Sequence, residues 1–312
     1  LSSSSAASDV YKRQEDFKVD ISESLENQNW KAFISAKDEV LIGGCVFLKN
    51  WIIRSEVSNA LDKLFVKNIS TGAEEELIFT DEEVCELNIS LRQKDKNTDE
   101  IYVGYSSPKT PSRVYLYNLS SKSKKLLKEQ EIPSGHNSNN YIVERVEFKS
   151  HDGRLVPLTI TRHKETKIDG TANLLLYGYG SYGNSMGPGF SSTRLSLIDR
   201  NIIWVTAHIR GGMEKGMKWW KEGKLINKKN TFEDYIYAAK YLIDNKYSSK
   251  GKIIGMGGSA GGLLIGAVVN QAPELFLGVI MAVPFVDSLT TNLDHSLPCL
   301  LYTSPSPRDG LL

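Results

Sequence analysis

With 312 residues, 40% of them hydrophobic, and a formal net charge of +1, the chain has length for about two domains with ordinary cores, and its charge excludes a nucleic-acid partner held by bulk electrostatics. No apolar run approaches the roughly 20 residues that span a bilayer, so no membrane partner is expected. Cys45, Cys85 and Cys299 are too scattered for a disulfide framework or a metal cluster, so a reducing, cytoplasmic setting and no cofactor or metal are expected.

The two ends, LSSSSAASDVYKRQ and CLLYTSPSPRDGLL, break the texture of their neighbours and read like translated sequencing adapters. The expectation is that residues 1–14 and 299–312 are foreign and that 15–298 is an internal piece of a longer protein. Residues 15–128 then alternate short apolar segments with polar turns. Strands are predicted over 30–35, 40–48, 51–57, 63–68, 75–79, 85–91, 101–105 and 113–118. Their spacing points to an all-β sandwich, barrel or propeller. Two similar hairpins, FVKNISTGAEEELIF and VYLYNLSSKSKKLLKE, recur at about 50 residues, a spacing compatible with four-stranded propeller blades.

From residue 129 the pattern changes to alternating strands and helices. Strands are predicted over 144–150 and 156–162 around the His151-Asp152-Gly153 turn, then over 173–179 and 202–209. A helix is predicted over 231–244, capped by Asn230 or Thr231. A strand over 252–256 leads into Gly257-Gly258-Ser259-Ala260-Gly261, then a helix over 263–269 and a strand over 278–283. Strand, tight glycine turn and helix are the context of a nucleophile elbow, with G-x-S-x-G placing Ser259 at its tip. A glycine-rich nucleotide loop is the alternative, but no phosphate-loop lysine follows the glycines. The whole reads as a doubly wound, mostly parallel α/β sheet whose ligands bind at the carboxyl ends of the strands, where Tyr179, Arg210 and Ser259 lie.

The segments LLLYGYGSYG (174–183), FSSTRLSLIDR (190–200), AHIRGG (207–212), KNTFEDY (229–235), GGSAGG (257–262) and PELF (273–276) together resemble the prolyl oligopeptidase family of serine peptidases. Within it, FSSTRLSLIDR and VPFVDSLTTNLD (283–294) look most like oligopeptidase B. The resemblance implies an α/β-hydrolase domain at 129–298, incomplete, preceded by the last blades of a β-propeller at 15–128. It implies short peptides as substrates and cleavage after Arg or Lys, with prolyl cleavage as the rival. A non-catalytic hydrolase-fold binding protein is the unrelated alternative.

By the same resemblance Ser259 is the nucleophile, and the Ala260 amide and Tyr179 phenol form the oxyanion hole. Tyr182 and Arg210 are candidate pocket residues, with simple packing as the other reading for Tyr182 and a loop-holding role for Arg210. Glu214 matches the RGG-x-E pattern, although Met213 stands where glycine is usual. A triad also needs an acid and a histidine. His295, the one histidine after Ser259, falls where the family has no catalytic residue. His208 reads as a packed strand histidine, and Asp287 lies too early for the family's acid. The expectation is therefore that acid and base lie beyond Pro298 and that this chain alone is inactive. The family's second-site aspartates would fall at Gly187 and Gly189, which puts a dibasic preference in doubt.

Overall fold

In the computed structural model, residues 16–18, 31–91, 96–287, 290, 293, 294 and 296 are described. Both adapter-like ends, Cys299 and His295 lie outside them. Strands β1 (Asp16–Lys18) and β2 (Lys31–Ile34) pair antiparallel. The first four-stranded sheet then joins β3 (Val40–Phe47), β4 (Trp51–Ser58), β5 (Leu61–Asn68) and β6 (Glu74–Glu76). The second joins β7 (Glu86–Ser90), β8 (Glu100–Ser106), β9 (Arg113–Asn118) and β10 (Lys124–Glu129).

In both sheets every strand pairs with its neighbour in sequence, the meander of a propeller blade rather than the crossed connections of a sandwich. The two blades share one core. Ile53, Leu64 and Val66 from the first meet Ile101, Val103 and Tyr105 from the second. Phe79 closes the seam with its ring edge-on to Tyr115 at 5.1 Å. The strand expected over 75–79 is shorter than its apolar run. Only Glu74–Glu76 pair with β5 along the ladder, and Leu77 and Phe79 turn inward to fill the core.

The third sheet is six-stranded, in the order β11 (Tyr141–Lys149), β12 (Leu155–His163), β14 (Ile203–Ala207), β13 (Leu174–Gly178), β15 (Ile253–Gly258), β16 (Phe276–Ala282). The first two pairings are antiparallel, and β14-β13-β15-β16 run parallel. Leu174, Leu176, Ile203, Val205 and Ile253 are solvent-free because helices cover the sheet. Those helices are α1 (Ser192–Ile198), α2 (Gly216–Lys221), α3 (Lys229–Asp244) and α4 (Ala260–Gln271). On α3, Tyr235, Ala238, Ala239 and Leu242 face the core at helical spacing. This is the α/β-hydrolase layer expected from the sequence.

The start of α3 departs from expectation. Its cap is Lys228, with no side-chain cap bond, because the two expected caps are engaged elsewhere. The Asn230 amide donates to the Glu222 carbonyl, and the Thr231 hydroxyl lies within bonding distance of the Arg210 and Gly223 carbonyls. Tying down the preceding loop takes precedence over local capping.

One blade is keyed into the sheet. Asn59 and Ala60 make the two-residue turn between β4 and β5, both with positive φ (52° and 58°). Ala60 donates its amide to the Glu214 carbonyl at 2.9 Å, and its own carbonyl accepts from Arg145 Nη2 at 2.8 Å.

Candidate active site

Ser259 sits between β15 and α4 at φ 53°, ψ −118°, a backbone conformation that side chains rarely adopt. The elbow holds it there. The Ser259 amide donates to Ala282 at 2.9 Å, and its carbonyl accepts from Gly262 and Phe285. The flanking glycines are required by contact. A β-carbon on Gly257 would strike the Gly261 carbonyl, and one on Gly262 would lie 2.5 Å from Pro284. The elbow thus presents an exposed serine between buried Gly257 and Ala260, at the N-terminal end of a 12-residue helix. The positive end of that helix favours charge developing beside it.

Tyr179 follows β13 directly and reaches the same place. A β-carbon on Gly261 would meet its ring at 3.3 Å, so the tyrosine lies against the first turn of α4. The Ala260 amide occupies the same helix end. Tyr182 stands three residues on, with φ 58°, 40% exposed, its ring 6.4 Å from that of Tyr179. Ser259, Ala260, Tyr179 and Tyr182 therefore gather at the carboxyl ends of β13 and β15.

Arg210 does not join them, and the pocket role considered for it is corrected. It is 1% exposed and enclosed by carboxylates. Nε and Nη2 bond Asp234 at 2.9 and 2.6 Å, Nη1 bonds Asp152 at 2.6 Å, and its backbone amide bonds Asp234 at 3.0 Å. Ser150 completes the knot by donating to Asp234 at 2.5 Å. Burial opposes the arginine's charge, but bonding to Asp234 and then Asp152 outweighs it and raises the guanidinium above its ordinary value. Arg210 ties the end of β14 to α3 and to the β11–β12 turn.

Glu214 and His208 form a second buried group. The Glu214 carboxylate accepts from the Met186 amide at 3.1 Å and so holds the loop beyond Tyr182. Burial raises this carboxyl to about 7, partly offset by the Met186 bond and by Arg145. His208 is packed as expected, sharing a 2.7 Å bond with the Thr159 hydroxyl. Burial, then the charge of Arg145, holds its imidazole well below the ordinary value. Met213, the departure from the family pattern, packs its thioether against Gly183.

The described histidines are each engaged away from the elbow. His136 bonds the Lys109 carbonyl, His151 lies against Ser150, His163 lies near Glu165, and His208 faces Thr159. Asp287 is exposed and accepts from the Thr290 amide. Among the described residues no side-chain hydrogen bond reaches the Ser259 hydroxyl, and no group of metal-binding side chains occurs. Lys228 is a further buried group near this turn. Its ammonium runs back from the start of α3 to bond the Gly180 carbonyl at 2.6 Å and the Ser181 hydroxyl at 2.7 Å. A lysine beside a predicted helix cap gives no sequence signal for this.

Two family models match the chain: the prolyl oligopeptidase N-terminal beta-propeller domain over residues 13–130, and the prolyl oligopeptidase family proper over 188–308, which includes the elbow. The chain belongs to the prolyl oligopeptidase family. Among relatives of this family member, dipeptidyl aminopeptidase BI of Pseudoxanthomonas mexicana is 39% identical over 88% of the chain, and protease 2 of Moraxella lacunata 37% identical over 90%. The chain spans 38% of the length of each. Among solved structures, oligopeptidase B from Trypanosoma brucei superposes with a TM-score of 0.80 at 32% identity, over 87% of this chain and 39% of that one. Oligopeptidase B from Leishmania major gives 0.81 at 27% identity, over 95% and 45%.

Proposed function

We propose that this chain carries the nucleophile and oxyanion half of a serine oligopeptidase that cleaves short peptides after Arg or Lys through an acyl-enzyme at Ser259. The observation that carries the reading is the strained, exposed Ser259 at the strand-to-helix elbow with Tyr179 against the same helix end. The Ala260 amide and Tyr179 phenol supply the two donors that a tetrahedral oxyanion needs. The blades, assigned to 15–128, cap the α/β layer, assigned to 129–298, and restrict entry to short peptides. Tyr182 lines the entrance to the first specificity pocket. The wide spacing of Cys45, Cys85 and Cys299 in the sequence supports a reducing, cytoplasmic setting.

A serine hydroxyl needs a general base to attack at neutral pH. No described residue fills that place, so the acid and base come from chain outside the described residues. A prolyl oligopeptidase of Omphalotus olearius is 35% identical to the chain, close to the 37% of protease 2. Cleavage after proline is thus the second reading.

The test begins with cDNA read past Pro298. It should encode an aspartate and then a histidine, and the protein bearing them should hydrolyse an arginyl ester faster than a prolyl one. Ser259→Ala should abolish that turnover. The 312-residue chain alone should show none; Ser259-dependent turnover by it would refute the divided-site reading, and absence of a downstream histidine would refute the peptidase reading.

A further inference from the structure

Lys228 is placed where a cation is disfavoured on every local ground. It is 9% exposed and stands at the N-terminal end of the 16-residue helix α3, where the helix dipole is itself positive. Among the described residues no carboxylate pairs with it, and its bonded partners are the Gly180 carbonyl and the Ser181 hydroxyl. The charged groups on the surrounding elements are committed elsewhere. Arg210, Asp234 and Asp152 close on one another, Glu222 faces Arg154, and Lys224 stacks on Trp220. The titratable groups of the bonded turn are Tyr179 and Tyr182.

Both acceptors of Lys228 belong to the turn that carries Tyr179. Gly180 has φ 64° and packs so closely that a β-carbon there would overlap the Thr231 methyl. On its other side, the Gly180 carbonyl lies where a side chain on Gly211 would have to be. The turn is also tied by the Gly183 amide to the Gly211 carbonyl at 2.9 Å. Within this turn, Lys228 supplies the charge-assisted bonds, the strong class of hydrogen bond.

We propose that Lys228 is a positioning residue for the oxyanion donor: its ammonium fixes the 179–182 turn and thereby holds Tyr179 against the Ser259 elbow. This rests on the reading of Ser259 and Tyr179 given above. A buried, unpaired cation costs stability that an apolar side chain of the same length would not. Its retention is accounted for by what it holds in place. Burial lowers the ammonium to about 8. Above that pH the amine still reaches Gly180, but the bond loses its charge assistance.

The experiment compares wild type, Lys228→Met and Lys228→Arg in the protein that carries the full triad. Lys228→Met should lower kcat about 10-fold, a fraction of the ~10²–10³-fold typical of deleting an oxyanion donor, and leave KM within about twofold. Its Tm at pH 7 should stay level or rise. The kcat of wild type should fall as pH passes about 8. Lys228→Met should lack that limb, and Lys228→Arg, charged throughout, should keep activity into the alkaline range.

A lowered Tm with unchanged kcat would make Lys228 a strut only and overturn the proposal. So would an alkaline limb that persists in Lys228→Met, which stands as the test if the arginine variant does not fold. A readout without catalysis uses the 312-residue chain. A folded-state value of about 8 lies below the ~10.4 of an unfolded lysine, so the unfolded chain holds more protons between those values. Stability should therefore rise with pH across that window in wild type and stay flat in Lys228→Met. Loss of that difference overturns this proposal alone, whereas absence of any Ser259-dependent hydrolysis overturns the reading of the site as well.

Discussion

Ser259 and Arg210 both follow parallel strands of one sheet at their carboxyl ends, yet the structure treats them oppositely. Ser259 is exposed and strained, and its hydroxyl has no bonded partner among the described residues. Arg210 is buried and bonded to two carboxylates through Nε, Nη1 and Nη2. Strand-end position is shared by reactive and structural residues alike. What separates them is the inventory of partners: a group left exposed on a costly backbone is available for chemistry, and a group enclosed by opposite charge is not.

The largest expected break in this contrast is at Asp234. Replacing it with alanine leaves Arg210 buried and facing only Asp152, and should cost about 3–5 kcal/mol in urea unfolding. If that loss is below about 1 kcal/mol, the knot is not what holds α3 to β14. Gly211→Ala comes next. Its φ is 103°, and its new methyl would collide with the Gly180 carbonyl. A loss of about 1–3 kcal/mol is expected, on the scale of overpacking. Ser259→Gly should run the other way. Glycine accepts positive φ freely, so about 1 kcal/mol of stability should be gained as the elbow relaxes. No gain would mean that Ser259 carries no strain.

The smallest effect is one of pH. Because burial raises Glu214 to about 7, its folded-state value lies above the unfolded one. The folded chain then holds more protons between about 4.5 and 7, so this residue's contribution to stability falls as pH rises through that window. Glu214→Gln should flatten that part of the Tm profile.

The elbow was legible because strand, glycines, serine and apolar helix are consecutive, and the physics that shapes them is local. The blades were legible from period-two alternation, although sandwich and propeller separated only once strand pairing was seen. The two short helices were not foreseen. In α1, Ser191 caps a single stretch from Ser192 to Ile198 with only Leu195 and Ile198 buried, too few positions to show a period. The partners of Arg210 were hidden because Asp152 and Asp234 lie 58 and 24 residues away. Lys228 was invisible for the same reason, since its acceptors lie 48 and 47 residues upstream.

The Asn59-Ala60 hairpin tip has a mechanical consequence. It is a two-residue turn, gripped at Ala60 on its amide side by Glu214 and on its carbonyl side by Arg145. A blade cannot swing away from the sheet without breaking both grips. The residue that provides one of them also holds Met186 through its carboxylate. Leverage applied to the blade is therefore delivered, through a single residue, to the loop that leaves Tyr182.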